Sequence, residues 1–334
     1  MSKAVLLKDV SARTGCSSAL VSAVLNGRTG RIRASEAMRK RIFKVADELG
    51  YVPNRNARGL RMSRSFLIGA LAANLSSSFV PEILSGIEAR CLHTNYGVLL
   101  GDYNNDDELL ERWTSFQGRG VDGVICIGKP ASFKQCILPS PDIKCVFVGG
   151  CVGDEECGGV WVDRASLLRL AAQAFAERGH RHIAYLTNYS PAECDVWRNA
   201  LLSHGIVAGS IRTCHNFFEE GVAVATAILK EHPELTAFFA DSDLLGTAVL
   251  AAARNCGKRV PEDLSVLGID DSILCRISQP ELASLRQPRR EQGEKGAELL
   301  MQMLDGEPAR NIVLQGELVC RASLAQAPEN HSES

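Results

Sequence analysis

The sequence predicts an α/β protein, a three-helix head followed by two doubly wound parallel sheets. Three observations carry this. Residues 6–49 hold three short apolar stripes at helical spacing, bounded by caps and glycines. From Phe66 onward apolar runs alternate with helical stripes, the βαβα rhythm of a parallel sheet. With 334 residues and 46% hydrophobic content, the chain is long enough for two such sheets beside the head.

The head begins with LLKDVSARTGCSSALVSAVLNG. Leu7 and Val10 make the apolar side of a first helix, and Gly15-Cys16 makes a tight turn. Ser17 stands where an N-cap would, and Val21, Val24 and Leu25 follow at i, i+3, i+4 spacing. With those inward, Ser18, Ala19, Ser22 and Ala23 face outward. A third helix comes from SEAMRKRIFKVADELGY, capped by Ser35, striped by Met38, Ile42, Val45, Ala46 and Leu49, and stopped by Gly50. A second helix held outward by two others is the helix-turn-helix arrangement of DNA readers. Charge agrees. Residues 1–65 carry 14 Lys/Arg against 4 Asp/Glu, a net of +10, while the rest carries 23 against 35, a net of −12. A near-neutral total hides a basic head on an acidic body, so only the head suits a polyanion.

After Pro53 the chain is short and basic, with Arg55, Arg58, Arg61 and Arg64 every third residue. The core then reads FLIGALAA as a strand, PEILSGIEARCLHTN as a helix, YGVLLGDYN as a strand and LLERWTSFQGRG as a helix. VDGVICIG and IKCVFVGG are strands, RASLLRLAAQAFAERG a helix and HIAYLTN a strand. EEGVAVATAILKEH, TAFFADSD, LLGTAVLAAARNCG and LSVLGIDD continue as helix, strand, helix, strand. Ligand is expected between the carboxyl ends of the two sheets.

KDVSARTGCSSALVSAVLNG followed by ELGYVPNRNARGLR resembles the head of the lactose-repressor (LacI/GalR) family of bacterial transcription regulators, and the resemblance runs nearly to the end of the chain. It implies a homodimeric repressor on double-stranded operator DNA, and a periplasmic-binding-protein-like core of two lobes joined by three crossovers. The domains would be a head over 1–52, a hinge over 53–65, a core over 66–322 and a polar tail over 323–334. The lobes would be 66–162 plus 290–322, and 163–289. The hinge would form a helix only on the operator, with Leu60 wedged into the minor groove and Arg55, Arg58 and Arg61 on phosphates. The tail AQAPENHSES lacks leucine heptads, so a dimer is expected rather than a tetramer.

On the recognition helix the family commonly has arginine where Ala23 stands, so no outward residue is long enough for a bidentate base contact. Ser17 and Ser22 suit phosphate, with Asn26 and Arg28 contributing from the following loop. In the cleft the resemblance points to Asn74 and Phe79 in NLSSSF, Asp163 in WVDR, Phe217, Asp243 in DSDLLG and Asp270 in LGIDD. Arg164 replaces the family's asparagine, and its sugar-gripping arginine aligns with Glu193. An acceptor-only carboxylate there, beside Asp243 and Asp270, implies an acidic cleft for a neutral or amino sugar effector rather than a sugar acid.

Other classes fit less well. A periplasmic binding protein is disfavoured because MSKAVLLKDV runs straight into a helix without a signal segment, and the head is basic. No run approaches a membrane span. The 12 cysteines form no C-x-x-C pair and read as reduced, buried thiols of a cytoplasmic protein, so no disulfide, metal or other cofactor is expected. His180 and His182 in GHRHIAYL read as a basic surface turn, and no hydrolase or phosphate-loop motif occurs. No enzymatic activity is expected. The competing function is a cytoplasmic sugar sensor whose head no longer reads DNA specifically.

Overall fold

In a computed structural model of the chain, residues 5–25, 34–51, 64–75, 77, 79–128, 143–149, 157–188, 194–207, 209–215 and 217–328 are described. The chain divides after Phe66 into two compact units. The first contains α1 (Leu7–Thr14), α2 (Ser18–Leu25) and α3 (Glu36–Leu49). Gly15 ends α1 in the left-handed region (φ +71°), which no side chain there would favour. The Ser17 hydroxyl accepts from the Leu20 amide at 3.3 Å, and Ser35 accepts from Met38 at 3.3 Å, so both predicted caps form. Val10, Val21, Val24, Ile42 and Ala46 make a small core, rimmed by Leu7, Leu20, Leu25, Met38, Val45 and Leu49.

The second unit has two six-stranded sheets. The first runs β1 (Leu67–Ala73), α4 (Val80–Leu92), β2 (Gly97–Tyr103), α5 (Asp106–Gly118), β3 (Gly123–Ile127), β4 (Lys144–Val148) and β5 (Gly158–Val162). The second runs α6 (Arg164–Glu177), β6 (Ile183–Thr187), α7 (Asp195–Leu202), β7 (Ile211–Thr213), α8 (Phe218–Glu231), β8 (Ala237–Ala240), α9 (Asp243–Asn255), β9 (Ser265–Asp270), α10 (Ile273–Ile277) and β10 (Ala283–Arg286). The chain then returns through α11 (Arg289–Leu304) and β11 (Asn311–Leu314) before β12 (Glu317–Val319). Strand orders are β11-β5-β4-β3-β1-β2 and β12-β10-β9-β8-β6-β7. Every pairing is parallel except β10 with β12. Both sheets are buried on two faces, which explains their unbroken apolar strands.

The chain passes between lobes after β5, after β10 and after β11. The last passage corrects the expected boundaries. The sequence places residues 315–322 in the first lobe and 323 onward in a polar tail, but β12 pairs with β10 in the second lobe. The Ser323 hydroxyl donates to the Val266 carbonyl (2.6 Å) and accepts from the Ala283 amide (2.8 Å). The Ala325 amide donates to Ser265, and Leu324 is buried. Without this segment β10 would be an open edge, so residues 317–325 are held by pairing that their composition does not announce.

α11 is the element that places the site. It packs along α4 with the backbones touching: a Cβ on Gly86 would lie 2.0 Å from the Arg290 carbonyl oxygen, and one on Gly293 2.0 Å from that of Ile83. Only glycines allow this approach, and it lays the first turn of α11 against Phe79 and Ile83. Among the described residues no helix is long and apolar enough to cross a membrane. His180 is not on a surface turn; it is buried, its ring bonded to Thr236 (3.0 Å) and the Ala325 carbonyl (3.1 Å). The tail turns back over this junction, so His180 is enclosed, while His182 is exposed.

Candidate functional site

In the head, Ser17, Ser18 and Ala19 are exposed and Ser22 is half-buried. Ala23 is not outward, being only 9% exposed, so the recognition face is narrower than the spacing suggested. An eight-residue helix wedged between two others buries a wider arc than its three large apolar residues mark. Ser17 and Ser18 each use a lone pair internally, Ser17 for the Leu20 amide and Ser18 for the Ser11 hydroxyl (3.0 Å). Each still has its own O–H to donate to a phosphate. Asn26, Arg28, Arg55, Arg58, Leu60 and Arg61 lie outside the described residues.

In the core, the carboxyl ends of the parallel strands carry Asn74 after β1, Asp163 after β5, Asp241 after β8 and Asp270 at the end of β9. Asn74 is exposed in the left-handed region (φ +62°), which asparagine tolerates. Phe79 is half-buried and lies under the Arg289 guanidinium, 4.8 Å from carbon to ring centre. Phe217 precedes α8 and is 65% exposed. Glu193 lies outside the described residues.

The carboxylates divide by what they touch. Asp163 caps α6: it accepts from the Ala165 (3.0 Å) and Ser166 (3.3 Å) amides and from the Ser166 hydroxyl. The Ser166 hydroxyl, opposed by some burial, holds its carboxyl below the usual range. Asp243 is not a cleft residue. It is 1% exposed inside the second lobe, accepting from the Ser272 amide (2.6 Å) and the Ser284 hydroxyl (2.6 Å). Burial, then the charge of Asp270, pushes its carboxyl up to about 6. The strand-end carboxylate is Asp241, two residues earlier. It accepts from Arg164 Nη2 (2.7 Å), the Thr187 hydroxyl (2.9 Å) and the Tyr185 hydroxyl (3.1 Å). Burial raises its pKa and the Arg164 charge opposes that.

Asp270 sits at φ +112°, accepting from Gln287 Nε2 (3.0 Å) and Arg289 Nη2 (2.7 Å). Asp270 belongs to the second lobe and Arg289 begins α11 on the first, so this pair spans the lobes.

Comparison with known proteins fits this architecture. Residues 6–54 match the model of bacterial regulatory proteins of the lacI family, and residues 172–324 match a periplasmic binding protein-like domain. The chain is 30% identical to the HTH-type transcriptional regulator CelR of Thermobifida fusca, over 95% of this chain and 97% of that one. It belongs to the LacI family. The ribose operon repressor of Haemophilus influenzae is 27% identical over 95% and 98% of the two chains. Among solved structures, a CelR–cellobiose complex aligns with a TM-score of 0.68 at 28% identity, covering 96% of this chain and 99% of that one. The lac repressor dimer bound to operator and the anti-inducer ONPF aligns with a TM-score of 0.81 at 22% identity, covering 97% and 100%. The chain is thus a DNA-binding transcription regulator of LacI-family architecture.

Within this family fold the cleft is less acidic than its sequence implies. Asp163 is spent on a cap, Asp243 is internal, and Asp241 and Asp270 each carry an arginine. Among the described residues, each of these carboxylates is therefore already bonded to donors of the protein. Sequence reasoning missed Asp241 and Arg289. The first was legible as the earliest polar residue after FFA; the second, in RQPRREQ, looked like surface charge.

Proposed function

We propose that this LacI-family regulator is a cytoplasmic homodimeric repressor whose operator affinity is set by a neutral or amino saccharide in the inter-lobe cleft. The observation that carries the effector class is the pairing of each strand-end aspartate, Asp241 and Asp270, with an arginine. The Asp270 carboxylate offers an uncharged polyol an acceptor, while the satisfied Asp241–Arg164 pair adds no surplus sign to favour an acid. Ser17, Ser18 and Ala19 supply a short reading face, so base selection rests on few contacts and on the hinge. The CelR relative, solved with cellobiose, supports a saccharide of this kind.

Selection of bound sites from a random duplex pool, with and without a panel of neutral, amino and acidic sugars, tests this. Enrichment of an inverted repeat that one neutral or amino sugar shifts is the expected result. Tight binding of a uronate with neutral sugars inert would reverse the assigned ligand class. The narrow reading face favours a second reading, a sugar sensor without specific readout. Failure of any inverted repeat to enrich, with sugar binding intact, would support it.

A further inference from the structure

Arg289 and Asp270 form an ion pair between the two lobes. Their side chains are 8% and 10% exposed, and the contact joins the end of β9 to the first residue of α11, next to the passage between lobes. Arg289 is otherwise poorly served. Its Nη1 reaches Gln292 Oε1 only at 3.4 Å, its face lies on Phe79, and among the described residues its Nε has no hydrogen-bond partner. Gln292 Nε2, also buried, has none either. Two buried donors therefore stand idle beside an ion pair. Such an arrangement is a weak stabiliser, since an apolar pair of the same volume would do as well, and each idle donor carries a desolvation cost. The carboxylate itself is held on a backbone outside the ordinary regions, at φ +112°, followed by Asp271 at φ +57°.

We propose that Arg289 is an exchangeable latch. Its guanidinium occupies the Asp270 carboxylate and ties the lobes together until a vicinal diol of the saccharide takes the carboxylate in its place. The inference rests on the saccharide reading for the identity of the displacing group. Diol hydroxyls donate to Asp270, restoring the bond that Nη2 gives up. Gln292 Nε2, which has no partner among the described residues, is left as a donor for another of the ligand's oxygens. Effector occupancy and loss of the inter-lobe ion pair are then one event, the form of coupling a repressor needs.

The test compares the full-length protein with Arg289→Met, Arg289→Gln and a control, Arg290→Met, whose arginine is exposed on the same helix. Hydrogen exchange without sugar, at residues 268–272 and 289–293, should quicken in Arg289→Met and not in the control. Arg289→Gln keeps an amide donor for Asp270 and should fall between, which also covers failure of the methionine variant to fold. Calorimetry with cellobiose and the wider panel should show tighter binding of a neutral sugar to Arg289→Met, by about tenfold, the equivalent of one charge-assisted hydrogen bond no longer broken. Unchanged exchange in both variants overturns the latch whatever the sugars do. Weaker sugar binding in Arg289→Met makes the arginine a ligand contact and overturns the exchange. If no sugar binds the wild-type protein, the saccharide reading fails, while the exchange experiment still decides whether the lobes are latched.

Discussion

Asp241 and Asp270 end adjacent strands, each paired with an arginine at 2.7 Å, yet they are built for different ends. Asp241 receives three donors, all from the second lobe, and its Arg164 partner reaches solvent. Asp270 receives two, one of them from the other lobe, beside two donors with no partner among the described residues. The first pair is satisfied and therefore architectural; the second is unsatisfied and lies on a joint. The same ion-pair chemistry serves fixed structure or switching according to whether its partners ride on one rigid body or two.

Breaking the architectural pair should have the largest effect. Asp241→Ala strips the acceptor from a guanidinium, a phenol and a hydroxyl at once. The expected cost is about 3 kcal/mol, the low end for orphaning one partner of a buried pair, because Arg164 is about one-third exposed and can turn to water. Denaturant unfolding would measure it. Hydrogen exchange at residues 289–293 should not change before global unfolding, which sets this pair apart from Asp270.

Acid should act next, and on the second lobe rather than on the joint. Burial holds His180 neutral, lowering its pKa to about 4, with its ring fixed between Thr236 and the Ala325 carbonyl. The unfolded chain takes up this proton near pH 6.5 and the folded chain does not. The stabilising contribution is therefore complete above 6.5 and is lost as pH falls to about 4, by roughly 3 kcal/mol in all. Asp243, with its carboxyl raised to about 6, contributes the opposite slope over the same window, so thermal melts compare the wild-type protein with His180→Gln, and the stability difference between them should shrink as pH falls.

The close approach of α4 and α11 offers a third way to disturb the joint. Gly86→Ala adds a Cβ that meets backbone, not a yielding side chain, so the helices must separate. Overpacking outweighs the gain in helix propensity, leaving a net loss of about 2 kcal/mol. Because α11 positions Arg289, the variant should also quicken exchange around Asp270 while leaving the Asp241 cluster protected. Equal loosening at both clusters would mean that the two pairs belong to one cooperative unit, erasing the distinction between them.

How far this was legible in the sequence depends on the range of the forces involved. The caps Ser17 and Ser35 and the stops Gly15 and Gly50 act within one turn, and they are where the spacing put them. The parallel strands were legible because burial on both faces leaves an unbroken apolar run. α11 was not, since Gly293 and Gly296 depress helix propensity for the sake of a neighbour that only the fold supplies. β12 is three residues of a backbone pairing with no periodicity to read. The choice of Asp243 over Asp241 failed for a related reason: family spacing marks a neighbourhood, but which of two aspartates ends the strand and which turns inward is settled by packing.

The smallest effect separates a cap from a ligand contact. Asp163 stands at the mouth of the cleft, where the family resemblance implies effector contact, yet its observed bonds go to Ala165 and Ser166. If capping is its whole role, Asp163→Ala should cost about 1 kcal/mol. Asp163→Ser should recover most of that, because a serine hydroxyl can accept from the same amides. Its carboxyl pKa is held down in the fold, so the charged form's contribution is present above the unfolded value of 3.8. That contribution fades as pH falls through the lower folded value, and Asp163→Ser should lose this acid dependence. Saccharide affinity supplies the other half of the comparison. A cap alone predicts the same affinity for the serine variant as for the wild-type protein. A drop of tenfold or more, the scale of one lost charge-assisted bond, would place Asp163 with Asp270 among the effector contacts.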